Sequence, residues 1–255
     1  MLEEVRDRWI IWSNTFVNSV GVNSTAVVLA QSVETVLTVV ARSVMPTENS
    51  FWVWYLSHTE PTYLEDGGNG QAAQRDRSLH YVKRWRNAID IGANVGEWTR
   101  PLAKVFDKVI CFEPNPNFRK CFEKNIHESN VILHPYGLST HSHTAEQGVN
   151  ETHLNFVVGD TEPRDGDIEC RSLDSFNLTD VDYVKIDVDG FEVPVLRGAE
   201  QTLKNNDAII NIEIKERKRP LTARKSRKLL RKFGYKFVSR VRSDEVWVKS
   251  SNITA

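Results

Sequence analysis

One lysine and three acids that could act in a group-transfer reaction lie close together in residues 185–192. Lys185 and Asp187 are two residues apart, so in a β-strand their side chains point to the same face. A lysine beside a carboxylate can orient a hydroxyl group and take up its proton as a new bond forms. We therefore predict Asp187 as the general base, Lys185 as its partner and Glu192 as a positioning group. The alternative interpretation is that Lys185 only neutralises buried acids.

A second group of residues, 90–96 with the sequence DIGANVG, could hold a small charged ligand. The loop lacks the three glycines of the dinucleotide fingerprint G-x-G-x-x-G, so it does not suit a pyrophosphate. Asp90 precedes the first glycine by two residues. Glu113 follows Asp90 at the sequence spacing at which an acid reaches the ribose hydroxyls of a nucleotide in such folds. A ligand with a carboxylate, an ammonium group and a ribose fits this pattern. We therefore predict S-adenosylmethionine as the cofactor.

Further motifs extend this pattern along the chain, and together they resemble the FkbM family of S-adenosylmethionine-dependent methyltransferases. The motifs are D-x-G-A-N-x-G at 90–96, F-E-P at 112–114, L-D-S at 173–175, K-I-D-V-D-G-x-E at 185–192 and V-L-x-G-A at 195–199. The resemblance covers residues 85–250 and keeps all the motifs in order. Two positions depart from the family pattern. Asp189 stands where the family more often has Glu, and Gly137 begins a G-L-S-T segment where A-L-S-D is usual.

The resemblance implies a reaction class and a set of binding residues. The residues expected to contact S-adenosylmethionine are Asp90, Gly92, Asn94, Gly96, Glu113 and Gly137. Members of the family mostly methylate oxygen, which implies an acceptor hydroxyl on a sugar, a glycan or a similar small molecule. Methyl transfer is an in-line displacement, and positioning of the reactants can supply up to ~7–11 kcal/mol of its barrier.

The acids allow one alternative, in which a divalent metal assists the reaction. Asp187, Asp189 and Glu213 follow neighbouring predicted strands, and three carboxylates could satisfy Mg²⁺. The interpretation adopted here is that no metal is bound.

The elements that must position these residues alternate between strands and helices, which predicts a doubly wound α/β fold. Apolar runs predict strands near 88–91, 108–112, 131–134, 183–188, 208–214, 236–241 and 245–249. The last two form a C-terminal antiparallel hairpin, and a helix is predicted over 97–106. Together with the resemblance, these elements predict the seven-stranded, mostly parallel, Rossmann-like sheet of class I methyltransferases.

The chain N-terminal to this sheet is predicted to add two smaller parts. Residues 1–46 are expected to form a helical extension, residues 47–80 a lid or linker, and residues 81–250 the methyltransferase domain. An amphipathic helix in the extension could pack on the enzyme itself or on a second copy, and the second arrangement would make a homo-oligomer. The aromatic cluster at 51–56 could stack on a sugar or, more simply, pack the extension onto the domain.

Composition and charge agree with a single catalytic domain. The chain has 255 residues, of which 40% are hydrophobic, enough to bury a full core. Charged residues precede the first apolar run, and the most apolar segment, 25–44, is interrupted by polar side chains. We therefore expect no secretory signal, no transmembrane segment and a cytoplasmic location. The 33 basic and 34 acidic residues balance, so the overall field predicts no polyanionic partner.

One local feature points to a different partner. Residues 215–232 contain ten basic side chains and one acid, Glu216. Leu221, Leu229 and Leu230 are predicted to form the inner face of a helix whose outer face is basic. Such a surface suits an anionic substrate or RNA, so RNA methylation is the alternative function. A third hypothesis is a non-catalytic binding or assembly module that keeps the fold and binds no cofactor.

Overall fold

The structure is a computed structural model that describes residues 25–32, 35–42, 55–56, 71–147, 156–158 and 168–250. The chain divides into two compact units, Met1–Gly70 and Gln71–Ala255. In the first unit the described residues form a three-stranded sheet in the order β1 (Thr25–Ser32), β2 (Thr35–Arg42), β3 (Tyr55–Leu56). Both pairings are antiparallel.

The predicted N-terminal helix is therefore wrong for the residues that the structure describes. Residues 25–32 and 35–42 pair along their whole length, from Thr25 opposite Arg42 to Ser32 opposite Thr35. Both segments are rich in valine and threonine, whose branched side chains lose rotamer freedom in a helix and fit a pleated strand. The rest of the predicted extension, and all of the aromatic cluster except β3, lie outside the described residues.

The second unit is built on a seven-stranded sheet, which confirms the predicted fold class. Its strands are β4 (Asn87–Ile91), β5 (Lys108–Phe112), β6 (Val131–His134), β11 (Val181–Ile186), β12 (Ile209–Glu213), β13 (Tyr235–Val241) and β14 (Asp244–Lys249). They lie in the order β13-β14-β12-β11-β4-β5-β6. The five strands from β12 to β6 are parallel, and the β13–β14 hairpin is antiparallel.

Six helices accompany this sheet within the described residues. They are α1 (Ala72–Leu79), α2 (Thr99–Ala103), α3 (Pro116–Asn125), α4 (Glu192–Gly198), α5 (Glu200–Asn205) and α6 (Pro220–Lys232). None of them has the length and apolar character needed to cross a membrane. The unit begins before the predicted domain start at residue 81, because α1 belongs to it: Ser78 in α1 and Tyr183 in β11 share a buried hydroxyl hydrogen bond of 2.7 Å.

A smaller four-stranded sheet follows β6, and the sequence analysis predicted none of it. Its strands are β7 (Gly137–Leu138), β8 (His143–Gln147), β9 (Phe156–Val158) and β10 (Ile168–Arg171), in the order β7-β10-β8-β9. β7 and β9 are only two and three residues long, and β8 and β10 carry several polar side chains. Such segments lack the apolar run that marks a buried strand.

The order of the large sheet fixes where a ligand can bind. β4 and β11 are neighbours, yet the chain leaves β4 toward β5 on one side and returns to β11 on the other. Loops that follow the carboxyl ends of such strands diverge and leave a crevice between them. The loops after β4, β5 and β11 contain most of the predicted site residues, and they meet at this crevice.

One glycine of the V-L-x-G-A motif has a packing role that can be tested. A β-carbon at Gly198, the last residue of α4, would lie 1.9 Å from the carbonyl oxygen of Ser139. We expect Gly198→Ala to lower the free energy of unfolding by roughly 1–3 kcal/mol, because the backbone of Ser139 must move. At most other helix positions a change from glycine to alanine would stabilise the protein by about 1 kcal/mol. Denaturant unfolding of the variant therefore tests the prediction by the sign of the change in the free energy of unfolding.

Gly234→Ala provides the control for this prediction. Gly234 has a positive φ of +88°, but a β-carbon there would meet no atom within 4 Å. Its substitution therefore carries backbone strain of about 1 kcal/mol without any clash. A Gly198→Ala variant as stable as the wild type would show that α4 does not pack against β7 as described.

Candidate functional site

The loop after β4 is a tight turn that is fastened to two other strand ends. Gly92 and Gly96 have φ values of +80° and +96°, which favour glycine. A β-carbon at Gly92 would lie 1.9 Å from the carbonyl oxygen of Asp187, so the loop packs directly on the end of β11. The N–H groups of Gly92 and Ala93 donate to the Phe112 carbonyl at 3.0 and 3.1 Å. The loop therefore joins the carboxyl ends of β4, β5 and β11.

Glu113, at the end of β5, is buried beside this loop. Its Oε2 accepts a hydrogen bond from the Asn94 N–H and its Oε1 one from the Asn115 N–H, both at 2.8 Å. Burial raises the pKa of Glu113 to about 7 in spite of these two bonds. Each carboxylate oxygen can accept a second hydrogen bond, so Glu113 keeps acceptor capacity for a ligand.

Asp90 lies within β4 and is completely buried. Its Oδ2 accepts a hydrogen bond of 2.7 Å from the Thr99 hydroxyl, whereas its Oδ1 has no hydrogen-bond partner among the described residues. Strand register places Asp90 opposite Lys185 on β11. Burial raises the pKa of Asp90, and the charge of Lys185 opposes that increase. Asp90 thus supports the loop from the sheet and faces a buried ammonium group.

Lys185 is an almost fully buried cation at the centre of the sheet. Its Nζ donates to Asp187 Oδ2 at 3.0 Å and lies 4.8 Å from the centroid of the Trp98 ring. Burial lowers the pKa of Lys185, but the charges of Asp187, Asp90 and Asp244 outweigh that effect and raise it. The ammonium group therefore stays charged.

Asp187 follows β11 and Glu213 is the last residue of β12. The two residues are neighbours because Ile186 and Ile212, which precede them, are in register. Burial raises the pKa of Asp187, but Lys185 and a hydrogen bond from Glu213 hold it below its usual value. Burial and the charge of Asp187 raise the pKa of Glu213 to about 8. The pKa of Asp187 is thus lowered and that of Glu213 raised, so Asp187 is the acid of the pair that ionises first.

The sequence analysis considered Glu213 only as a metal ligand. In the structure the ammonium group of Lys215 lies 2.8 Å from Glu213 and also contacts Asp189. Within the described ranges no group of three or more His, Cys, Asp or Glu side chains is arranged to hold a metal ion. Two of the three acids of the Mg²⁺ alternative, Asp189 and Glu213, instead contact the ammonium group of Lys215.

Two predicted site residues have other contacts in the structure. Glu192, at the start of α4, is buried and accepts a hydrogen bond of 2.8 Å from the Gly190 N–H. Burial raises the pKa of Glu192. Gly137 is buried in β7, opposite Cys170 of β10. Glu192 thus holds the turn after β11, and Gly137 contributes backbone to the smaller sheet.

A group of aromatic rings that the sequence analysis missed follows β5 and β6. His134 stacks on Phe112 and on Tyr136, with centroid distances of 5.1 and 6.1 Å, and Phe176 packs against all three rings. The Arg171 guanidinium lies 3.8 Å from the centroid of Tyr136. His134, Tyr136 and Phe176 are only half-buried, so they offer flat surface beside Gly137. The signal available in the sequence for this group was the pair His134 and Tyr136, two aromatic residues separated by one position at the end of a predicted strand.

Comparison with known proteins agrees with the motifs. A family model described as "Methyltransferase FkbM domain" matches residues 90–237, which confirms the resemblance. A search of curated proteins finds no significant match.

Solved structures with related folds are distant in sequence. Methyltransferase FkbM from Methylobacillus flagellatus KT has 18% identity and a TM-score of 0.49, over 65% of this chain and 44% of that protein. Precorrin-6y C5,15-methyltransferase from Geobacter metallireducens GS-15 has 15% identity and a TM-score of 0.45, over 69% and 87%. Magnesium protoporphyrin IX methyltransferase from Synechocystis PCC 6803, with bound SAM, has 13% identity and a TM-score of 0.43, over 71% and 79%. The chain thus spans less than half of the Methylobacillus protein.

The raised pKa of Glu213 predicts how stability depends on pH. The folded state keeps this proton up to about pH 8, whereas an unfolded chain releases it near ~4.3. Between these values the folded state binds more protons, so Glu213 makes stability fall as pH rises. We expect Glu213→Gln, which cannot ionise, to flatten this decline and to melt higher than the wild type near pH 8. Each kcal/mol of relief corresponds to roughly 2–4 °C in Tm.

The matched control is Glu123→Gln, the same chemical change at an exposed position on α3. Its melting curve should follow that of the wild type across the range from about pH 5 to pH 8. Parallel curves for Glu213→Gln and the wild type would show that Glu213 is not protonated in the folded protein.

Proposed function

The chain belongs to the FkbM methyltransferase family, and on this premise we propose that it transfers a methyl group from S-adenosylmethionine to a hydroxyl of a sugar, a glycan or a similar small molecule. The observation that carries this proposal is Asp187, an ionised carboxylate at the end of β11 that is held by Lys185 and touches the glycine loop. An alcohol acceptor needs a base at that position to take up its proton, whereas a more acidic acceptor does not.

The residues at the crevice fit S-adenosylmethionine by their charge. Acidic side chains from three neighbouring strands, Asp90 in β4, Glu113 after β5 and Asp187 after β11, favour an ammonium or sulfonium group over a pyrophosphate. Asp90 Oδ1 lacks a hydrogen-bond partner in the described part of the chain, and Glu113 retains acceptor capacity for ribose hydroxyls. The half-buried rings of Tyr136 and Phe176 suit a flat base beside Gly137. Asn94 and Gly96 would contribute through the shape of the glycine loop.

The chain's own groups would act on the acceptor and its proton. When bound, the cofactor supplies an electrophilic methyl group. Asp187 would accept the hydroxyl proton, while Lys185 keeps the carboxylate ionised and fixed in place. The raised pKa of Glu213 favours its neutral form, which lowers the charge that must be accommodated beside Asp187. Glu192 would maintain the turn at 189–191 against which the acceptor lies.

A thermal shift with S-adenosylhomocysteine tests cofactor binding. At a ligand concentration of about 100 Kd, linkage stabilises the folded state by about 2.7 kcal/mol, which corresponds to roughly 5–10 °C. We expect Glu113→Gln to reduce the shift, because one ribose acceptor is lost. A wild-type protein that shows no shift at millimolar ligand would favour a non-catalytic module instead of an enzyme.

Substitution of the base tests the chemical step separately. We expect Asp187→Asn to lower transfer of labelled methyl groups to a sugar or glycan extract by ~10²–10⁴-fold, while the thermal shift with S-adenosylhomocysteine persists. Asp180→Asn makes the same change at an exposed residue just before the other end of β11, where Asn tolerates the φ of +57°. It should leave transfer unchanged. Equal turnover of Asp187→Asn and the wild type would remove Asp187 from the mechanism.

A further inference from the structure

Helix α6 carries an exposed stripe of one leucine and three basic residues. Leu221, Arg224, Lys225 and Lys228 are spaced by three, four and seven positions, so they share one face of the helix. All four are exposed, and Leu221 has 70% of its surface accessible. This corrects the sequence-based expectation for Leu221. The inner face is formed by Ala223, Ser226 and Leu230, so the prediction is confirmed for Leu230 and wrong for Leu221.

The charges of α6 fall into two groups according to their partners. Arg227 is bound by Glu216 at 2.8 Å and by Glu245 at 2.7 Å, and Lys232 lies 3.2 Å from Glu200. In contrast, no acid of the described residues lies within ion-pair distance of the stripe's basic residues, Arg224, Lys225 and Lys228. The acids of this region are thus engaged along the side of α6 that faces the sheet. The stripe keeps its positive charge.

The stripe continues the rim of the candidate site. Lys215 and Arg219, which precede α6, both contact Asp189 after β11. A β-carbon at Gly190 would lie 2.6 Å from Arg219 Nε, so this side chain closes over the turn beside Asp187. A surface bound by α6 would therefore lie next to the crevice.

We propose that this stripe binds an anionic lipid surface, with Leu221 inserted among the headgroups. Each lysine or arginine near such a surface strengthens binding by about fivefold. A leucine at the same level adds apolar contact, which is the combination found in helices that lie on membranes. Nucleic acid fits less well, because none of the stripe's residues is aromatic and could stack on a base. The proposal does not depend on the cofactor or on the reaction.

Vesicle co-sedimentation with the full chain tests the proposal. We expect binding to vesicles that mix phosphatidylserine with phosphatidylcholine, weakening as salt rises, and little binding to phosphatidylcholine alone. The triple variant Arg224→Ala, Lys225→Ala, Lys228→Ala should bind the mixed vesicles about a hundredfold more weakly, as three losses of about fivefold imply. Leu221→Ser should weaken binding roughly tenfold while the salt dependence is retained.

A charge-matched variant controls for net charge. Lys104, Lys108 and Lys120 are exposed and lie around β5, on the other half of the sheet from α6. Their combined change to alanine should leave vesicle binding within about twofold. Should the α6 triple variant fail to fold, the Leu221→Ser variant and the salt titration of the wild type still decide the outcome.

Three results would overturn the proposal. The first is equal binding to vesicles with and without phosphatidylserine. The second is identical binding by the α6 and the control triple variants. The third is salt-dependent binding of an RNA oligonucleotide by the wild type, lost in the α6 variant, with no binding to either vesicle. That last outcome would assign the stripe to RNA.

Discussion

The site depends on the burial of one positive charge, the ammonium group of Lys185, in the middle of the large sheet. Moving an isolated ammonium ion out of water costs several kcal/mol, so acids must surround it. Asp90 faces it from β4, Asp187 accepts its hydrogen bond, and the charge of Asp244 on β14 adds to theirs. These acids come from three strands, so the compensation exists only when β4, β11 and β14 hold their places in the sheet.

The same charge determines which acid of the site is ionised. Lys185 favours the ionised form of Asp187, and the negative charge on Asp187 then opposes ionisation of Glu213. The pKa values of these two neighbouring carboxyl groups are thus shifted in opposite directions. Removal of Lys185 would leave two buried acids in competition for one proton. Lys185 neutralises buried acids and also keeps Asp187 ionised. The alternative interpretation and the proposed catalytic role of Lys185 therefore describe the same electrostatic arrangement.

The sequence predicted the large sheet well because its central strands are buried on both faces. β5 and β6 were predicted with their observed limits, and β4, β11 and β12 within about two residues, because each is an apolar run that ends at a turn. The helix predicted over 97–106 is shorter, Thr99–Ala103, because the glycine turn continues through Trp98. Local pattern was insufficient for the N-terminal hairpin and the smaller sheet. The valine-rich segments 25–32 and 35–42 lack a strict alternation of polar and apolar residues, and the strands of the smaller sheet are too short to show one.

Within the site, the sequence could supply residue types and the local pair of Lys185 with Asp187, but not the partners that come from other strands. The lysine and the acids of residues 185–192 were recognisable from spacing alone. The pairing of Asp187 with Glu213 arises from strand register, and the approach of Lys215 to Asp189 arises from the return of the chain after β12. Neither relation is encoded in a motif. Leu221 shows the same limit, since helical periodicity does not reveal that the first turn of α6 is left uncovered.

The departure from the family motif at Asp189 has a conformational explanation that connects the site to α6. Asp189 has a φ of +48°, a left-handed conformation that aspartate adopts more readily than glutamate, because its short side chain can hydrogen-bond locally. Asn94 in the glycine loop has a φ of +50°, so both loops at the crevice use a short polar residue for a sharp turn. The Asp189 carboxylate then contacts Lys215 and Arg219, the two residues that lead into α6. The side chain of Asp189 therefore connects the turn beside the predicted base to the start of the basic helix. A bound surface that displaced α6 would also displace the loop that borders Asp187.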